Sequence, residues 1–431
     1  MVVFDYPSSL FMQTKQYDVL VIGGGPAGMM AAGRAAECGA RVLLLEKNAS
    51  LGVKLLITGG GRSNVTNAEF DRNIFLGKFK DATKFLFSPL SRFGVQDTLD
   101  FFEKHGMPTK IEAEKRVFPV SNSAQSVWDV LVGYMRQGKV VVRSNAEVAS
   151  LETKEGRVIG VRLKSGEVVE AESYILATGG KSRPETGSTG DGFRFLKRIG
   201  HTVIKPNPAL VPLRVRETWV HSLSGMSLSE AKITVFQNGK KQESKSGKIL
   251  FTHFGLSGPL ALNMSKGIGE FLQYGEVTIS VDLMPKVSVG DLDKQVQALF
   301  EGQKNKQVKN SLDGFVQALC IPVILGLANI DGETPVHSVS REERRALVHI
   351  VKNLPLTVIG LLGEDKAIVT SGGVALEEVD FQSMRSRLYP NLYIVGDVLN
   401  IDRPSGGYSL QLCWTTGFVA GSAASGKKVV F

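Results

Sequence analysis

The chain has 431 residues, 43% of them apolar, enough to bury a large core, and its length suggests two or three domains. Its formal charge of +9 is spread over small clusters, KNKQVKN at 304–310 and GKKQ at 239–242, that interleave no aromatics with arginines; they read as solvated faces, and nucleic acid is not an expected partner. No apolar run reaches the roughly 18 residues of a bilayer span, and Cys38, Cys320 and Cys413 show no CxxC or ligand spacing, which leaves no membrane, metal or disulfide framework to expect and makes a reducing cytoplasm the expected home.

Residues 1–16, MVVFDYPSSLFMQTKQ, lack the basic start, apolar stretch and cleavage site of a secretory signal; they read as a frayed extension, with Met12 an alternative start. The next stretch, YDVLVIGGGPAGMMAAGRAAECGARVLLLEK, has the order of a dinucleotide-binding unit. Residues 19–22 form a short buried strand. Gly23, Gly25 and Gly28 give the GxGxxG spacing, with Gly24, Pro26 and Ala27 between them, and residues 26–38 form an alanine-rich helix ended by Gly39. The first glycine permits a tight turn, the second lets a pyrophosphate reach the backbone, and the third lets helix pack on strand. Glu46 closes the second strand, 41–45, where a carboxylate accepts hydrogen bonds from a ribose diol. An acid there argues against a ribose 2′-phosphate, and NAD and FAD both fit this segment alone.

Later motifs select FAD. LGVKLLITGGGRSNVTN follows, and its Thr58, Gly59, Gly60, Gly61, Arg62, Ser63 and Asn64 form a second glycine turn able to lie flat against a planar ring. Residues 146–151, Val148 among them, form a strand meeting the adenine edge. Residues 158–163 and 168–171 form a hairpin, and 174–177 run into Thr178, Gly179 and Gly180. From 192 the pattern changes. A helix at 193–199 precedes PNPALVPL, which breaks regular structure; strands at 232–236 and 248–252 flank an Asn238-Gly239 hairpin signal, and another strand spans 276–283. Helices are expected at 291–300, 310–320 and 341–353, the last opened by a capping box at Ser340. A strand at 367–370 and a turn at 371–373 return the chain to the first domain. Near the C-terminus, a strand at 392–395 precedes Gly396-Asp397, and a Gly406-Gly407 turn opens a small-residue helix. An aspartate after such a strand suits a ribityl chain, and the helix N-terminus suits negative charge on an isoalloxazine.

These motifs, with RVFPVSNSAQSV, ILATGG followed by GSTGDGFRFLKRIGH, FTHFGLSGPLAL, VTSGGVALEEVD and VGDVLNIDRPSGGYSLQ, resemble the bacterial FAD-binding flavoproteins that include aminoacetone oxidase-like and BaiN-like bile-acid reductase proteins. The resemblance covers the chain from about Tyr17 onward. It implies noncovalent FAD on a split Rossmann-type α/β domain, residues 1–191 and 360–431, interrupted by a β-rich insert at 192–285 and a helical cap subdomain at 286–359. It also implies FAD contact at residues 23–28, Glu46, Lys47, Lys54, the 58–64 loop, Gly179, Gly180, Asp397, Gly407, Tyr408, Ser409 and Gln411. Two positions depart from the family pattern. Ser63 stands where cysteine is common, and Asp402-Arg403 where Asp-Gly is usual.

The expected activity is hydride transfer between flavin N5 and a small organic substrate held under the insert, in the oxidase or the reductase direction. A second intact GxGxxG unit is absent, so NAD(P)H is expected only as a transient donor. His253 and Tyr408 are the candidate catalytic groups, with Ser257 near His253; Arg116 in RVFP reads as an ion-pair residue. No obligate protein partner is implied. A non-catalytic FAD-binding sensor or scaffold, its basic surface contacting RNA or a protein, is the alternative of a different class.

Overall fold

The computed structural model describes residues 16–363 and 365–426. The expectation about residues 1–15 therefore falls outside the described part. The chain divides into two compact units, one formed by residues up to 207 and from 370 onward, the other by residues 208–369. The expected boundaries at 192 and 360 differ from this division. The helix Asp191–Arg198 belongs with the first unit, its Phe193, Phe195 and Leu196 buried in that unit's core, and the strand Leu354–Leu361 belongs with the second.

The first unit is built on a seven-stranded sheet whose centre is parallel. Tyr17–Ile22 pairs with Val42–Leu45 on one side and Ala171–Leu176 on the other, and Leu392–Ile394 pairs with the latter. The inner strands read as unbroken apolar runs because both faces are covered, as a parallel sheet requires. Register aligns their ends: Ile22 lies opposite Leu45 and Leu176, and Leu176 opposite Ile394. Four chain segments thus emerge side by side at one edge, and these carry residues 23–28, Glu46, Thr178 to Gly180 and Gly396-Asp397. Ligands bind outside this edge in open parallel sheets. The helices Pro26–Glu37 and Tyr408–Ala424 pack through glycine: a Cβ at Gly417 would stand 2.5 Å from Ala27 O and one at Gly421 2.5 Å from Ala31 O.

Residues 68–140, where the sequence carries few motifs, fold into the helices Arg72–Gly77, Thr83–Arg92, Val95–Lys104 and Ala124–Gln137 and, with Thr66–Asn67, a three-stranded antiparallel sheet completed by Thr109–Glu112 and Arg116–Pro119.

The second unit contains a closed antiparallel barrel in the order Leu213–Val215, Gly255–Ser257, Lys240–Thr252, Ser227–Gln237, Val277–Asp282, Leu354–Leu361. Alternation sends Ile233, Val235, Ile279, Val281, Leu356 and Val358 inward. The barrel shares one core with the helices Gly258–Phe271, Val289–Gly302, Cys320–Leu327 and Arg341–Lys352, so the insert is not split near residue 285.

Three local expectations are corrected. PNPALVPL does not begin with a break: Val203–Ala209 is a strand of a two-stranded sheet with Val369–Val374, and a strand at a sheet edge tolerates Pro206 and Pro208 without central donors. Residues 371–373 are not a turn but part of that partner strand. A Cβ at Gly372, φ +90°, would come within 2.5 Å of Lys205 O, which is why glycine stands there. The 310–320 helix is replaced by Val308–Ser311 and Cys320–Leu327, because Gly314, φ +79°, interrupts the run.

Candidate functional site

At the sheet edge the first glycine turn is sterically required. Gly23 N donates to Leu45 O at 2.8 Å, and Gly23 has φ +104°. A Cβ at Gly23 would lie 2.6 Å from Ala177 O, and one at Gly28 would lie 1.9 Å from Gly23 O. Gly25 differs: a Cβ there would meet nothing within 4 Å. Gly25 also caps the helix Pro26–Glu37 with no side-chain hydrogen bond, so its first-turn donors and positive dipole end are left for an anion. Gly24 N and Asn48 N donate to the two oxygens of the buried Glu46 carboxylate at 2.7 and 2.8 Å, which fixes it while each oxygen keeps a lone pair for a ribose hydroxyl. Ala146 N donates to Glu46 O, and Val148, buried two residues on, starts the strand Val148–Lys154 beside this end.

Beyond Glu46, Lys47 is engaged by Thr189 and Asp191, at 2.6 and 2.9 Å. Burial alone would raise the Asp191 carboxyl, but Thr189, Lys47 and Arg194 hold it below its ordinary range. Lys54, on the short helix Val53–Ile57, donates to Ser182 Oγ at 2.6 Å and stands 3.7 Å from Asp397 Oδ2.

The second glycine turn is held open. Gly59, Gly60 and Gly61 have φ of +61°, +68° and +83°, and a Cβ at Gly60 would meet nothing within 4 Å. Thr58 Oγ1 donates to Lys54 O, and Asn64 Oδ1 accepts from Val117 N. Arg62 turns away from the turn to lie 4.1 Å over the Phe118 ring, bound to Glu112 and Asn122. Against this turn packs the C-terminal one: a Cβ at Gly407, φ +106°, would stand 2.3 Å from Thr66 C, and Asn67 Nδ2 donates to Gly406 O. Two motifs 339 residues apart are thereby joined. The helix Tyr408–Ala424 begins here, capped by Gly407 without a side-chain bond.

Gln411 is fully buried and its amide is engaged by Thr66, Thr98, Gly94 and Thr415, so its side chain supports the turn. Tyr408, 6% exposed, packs against Phe75 and Phe79 with ring centroids 4.9 and 5.9 Å away. Ser409 Oγ accepts from Arg403 Nε at 3.0 Å. His253 lies in the second unit, exposed on the turn between Lys240–Thr252 and Gly255–Ser257 and edge-on to Phe254 at 4.9 Å. Arg116 pairs with Glu114 at 3.5 Å and donates to Ala113 O.

Two of the buried hydroxyls that have no hydrogen-bond partner among the described residues lie here: Ser63 Oγ in the second turn and Thr178 Oγ1 beside the first. Thr178 is followed by Gly179, φ +74°, and by Gly180, where a Cβ would meet Thr370 Oγ1 at 2.4 Å. Orphaned hydroxyls, open glycines and two uncapped helix N-termini at one sheet edge form a donor-rich cradle that fits a flavin dinucleotide. Ser182 and Arg403 are further partners at this site, and nothing local in the sequence signals that Lys54 reaches Ser182 or that the Arg403 guanidinium reaches Asp397.

The HI0933-like protein Rossmann domain matches residues 17–423. The chain belongs to the HI0933-like family. Members similar to it along nearly their whole length are a 3-dehydro-bile acid delta(4,6)-reductase of Clostridium scindens, 31% identical over 94% of this chain and 98% of that one, and a ribosomal RNA dihydrouridine synthase of Escherichia coli, 29% identical over 93% and 96%. Among solved structures, a 3-ketosteroid delta1-dehydrogenase from Sterolibacterium denitrificans superposes with a TM-score of 0.56 at 15% identity, covering 96% of this chain and all of that one, a likeness of fold. This HI0933-like chain is an FAD-dependent oxidoreductase with a Rossmann-type FAD-binding domain. Among the described residues no helix is long and apolar enough to cross a membrane.

Proposed function

We propose that the chain saturates a carbon–carbon double bond conjugated to a carbonyl, using NAD(P)H as a transient electron donor. What supports this reading is the pair of full-length relatives, one named for reduction of a 3-dehydro bile acid at its delta(4,6) bonds and the other for dihydrouridine. Both names describe the addition of two hydrogens across a double bond that a carbonyl activates. Bound FAD supplies the hydride from N5.

The chain's own residues hold the cofactor in this reading. The open backbone at Gly25 and the first turn of Pro26–Glu37 receive the pyrophosphate, Glu46 the ribose, Asp397 the ribityl chain, and the 58–64 and 407–409 turns the ring. Thr178, Gly179 and Gly180 line the cradle between them, with Lys54 beside Asp397 and Val148 toward the adenine. His253, exposed on its turn, is the proposed proton donor to the substrate. Tyr408 is the alternative donor, although its ring is committed to packing.

One dinucleotide cradle implies that nicotinamide and substrate take turns, giving ping-pong kinetics. Anaerobic mixing tests the reading: NADH or NADPH should bleach the flavin, and a conjugated enone should restore its colour. Flavin reduction by an amine, with no reoxidation by any enone, would replace it with an oxidase. A second reading, a uridine base in RNA as acceptor, draws on the +9 charge and predicts salt-sensitive RNA-dependent reoxidation.

A further inference from the structure

Asp397, in the short helical turn Gly396–Val398 after strand Leu392–Ile394, is met by two cations. Arg403 Nη2 donates to Oδ1, and Lys54 Nζ stands 3.7 Å from Oδ2. The Arg403 side chain is 0% exposed and that of Asp397 14%. Its other edges are locked as well, with Nη1 donating to Ile401 O at 2.7 Å and Nε to Ser409 Oγ at 3.0 Å. Two positive charges share one carboxylate, behind the uncapped N-terminus of Tyr408–Ala424, whose dipole adds to the positive potential.

Such an excess is costly without a counter-charge. The cost falls on Lys54. Burial pushes its ammonium below the usual lysine range, Asp397 opposes that shift, and Arg403 adds to it. Burial alone would raise Asp397, yet Arg403 and Lys54 hold it below the usual carboxylate range. The cluster borders the cradle: a Cβ at Gly396 would lie 3.0 Å from the Ala27 Cβ, and one at Gly180 3.4 Å from Asp397 O.

We propose that Arg403 is a positioning residue that makes the cradle one charge more cationic and thereby favours the reduced, anionic flavin over the oxidised, neutral one. The proposal rests on FAD as the cofactor and not on the identity of the substrate.

Slow anaerobic reduction of the holoprotein against a reference dye reads the midpoint potential without turnover. R403M should shift the two-electron equilibrium at least tenfold toward oxidised flavin, a fall of about 30 mV, and R403K should restore most of it. D397N, which removes the counter-charge and keeps an acceptor oxygen, should raise the potential. An R403M protein with full FAD content and unchanged potential overturns the proposal. If R403M fails to fold, D397N and R403K decide: a potential that does not rise in D397N, or that falls in R403K as far as expected for R403M, also overturns it. A wild-type protein that cannot be loaded with FAD would instead refute the cofactor assignment.

Discussion

The two glycine turns of the cradle are built on different physical grounds. In the first, Gly23 and Gly28 are dictated by the protein's own backbone, since a Cβ at either would collide with a carbonyl oxygen. In the second, Gly60 has no neighbour within 4 Å and Gly61 only Leu56 O at 4.0 Å; their left-handed φ explains the residue type, and the open space explains nothing about the fold. Gly25 belongs with the second kind although it sits in the first turn. Glycines that the fold needs and glycines that a ligand needs are thus separable by substitution.

The largest effect is expected at Gly28. A Cβ placed 1.9 Å from Gly23 O forces strand and helix apart, so Gly28→Ala should lose more than about 3 kcal/mol of stability together with FAD. Thermal melting of the apoprotein checks this, and a wild-type melting temperature in G28A would break the distinction. Gly25→Val should behave oppositely. Its apoprotein should melt like wild type, while FAD affinity falls at least ~100-fold, about 2.7 kcal/mol, because the side chain occupies the pyrophosphate's approach. Titration of apoprotein with FAD measures it, and the wild-type holoprotein should be yellow and release its cofactor on denaturation, as noncovalent binding requires.

What the sequence made legible follows the same division. The GxGxxG turn, its strands and Glu46 are local, and each is marked by an apolar run or by spacing that backbone sterics impose. Side-chain partnerships set by strand register were not legible: Lys54 with Ser182 spans 128 residues and Gln411 with Thr66 spans 345. The helix Gly258–Phe271 escaped notice because its Gly258, Gly267 and Gly269 dilute the apolar period. Leu354–Leu361 escaped because its partner, Val277–Asp282, precedes it by some seventy residues, and only closure of the barrel brings them together.

A pH effect comes next, in a region away from both turns. His201, buried in the first unit, is bonded through Nδ1 to Glu378 at 2.8 Å and through Nε2 to Ser386 Oγ at 3.0 Å. Ser386 Oγ already accepts from Leu388 N and Tyr389 N, so its own proton goes to Nε2 and the imidazole is held neutral. Burial lowers the His201 pKa below 6.5, against the pull of Glu378. The unfolded chain then binds the proton first, and stability falls as pH drops below 6.5 toward the folded value, by up to about 1.4 kcal/mol per pH unit. Denaturant melts at pH 7 and pH 5.5 should show this loss in wild type and not in His201→Gln.

The smallest effect sharpens the comparison most, because it falls on one atom. Ser63 is fully buried at φ +57° in the second turn, and its Oγ has no partner among the described residues. An unpaired buried hydroxyl costs desolvation, so Ser63→Ala should leave the apoprotein equally stable or raise its stability by up to about 1 kcal/mol. If the hydroxyl is kept for the cofactor, the same substitution should weaken FAD about fivefold, one net hydrogen bond. Ser63→Gly, which also relieves the left-handed strain, should stabilise the apoprotein further and weaken FAD to the same degree. Paired melting and titration of the two variants read both quantities. Unchanged FAD affinity in both, with the expected apoprotein stability, would assign Ser63 to the fold alone and leave Gly25 as the position at which ligand and fold part company.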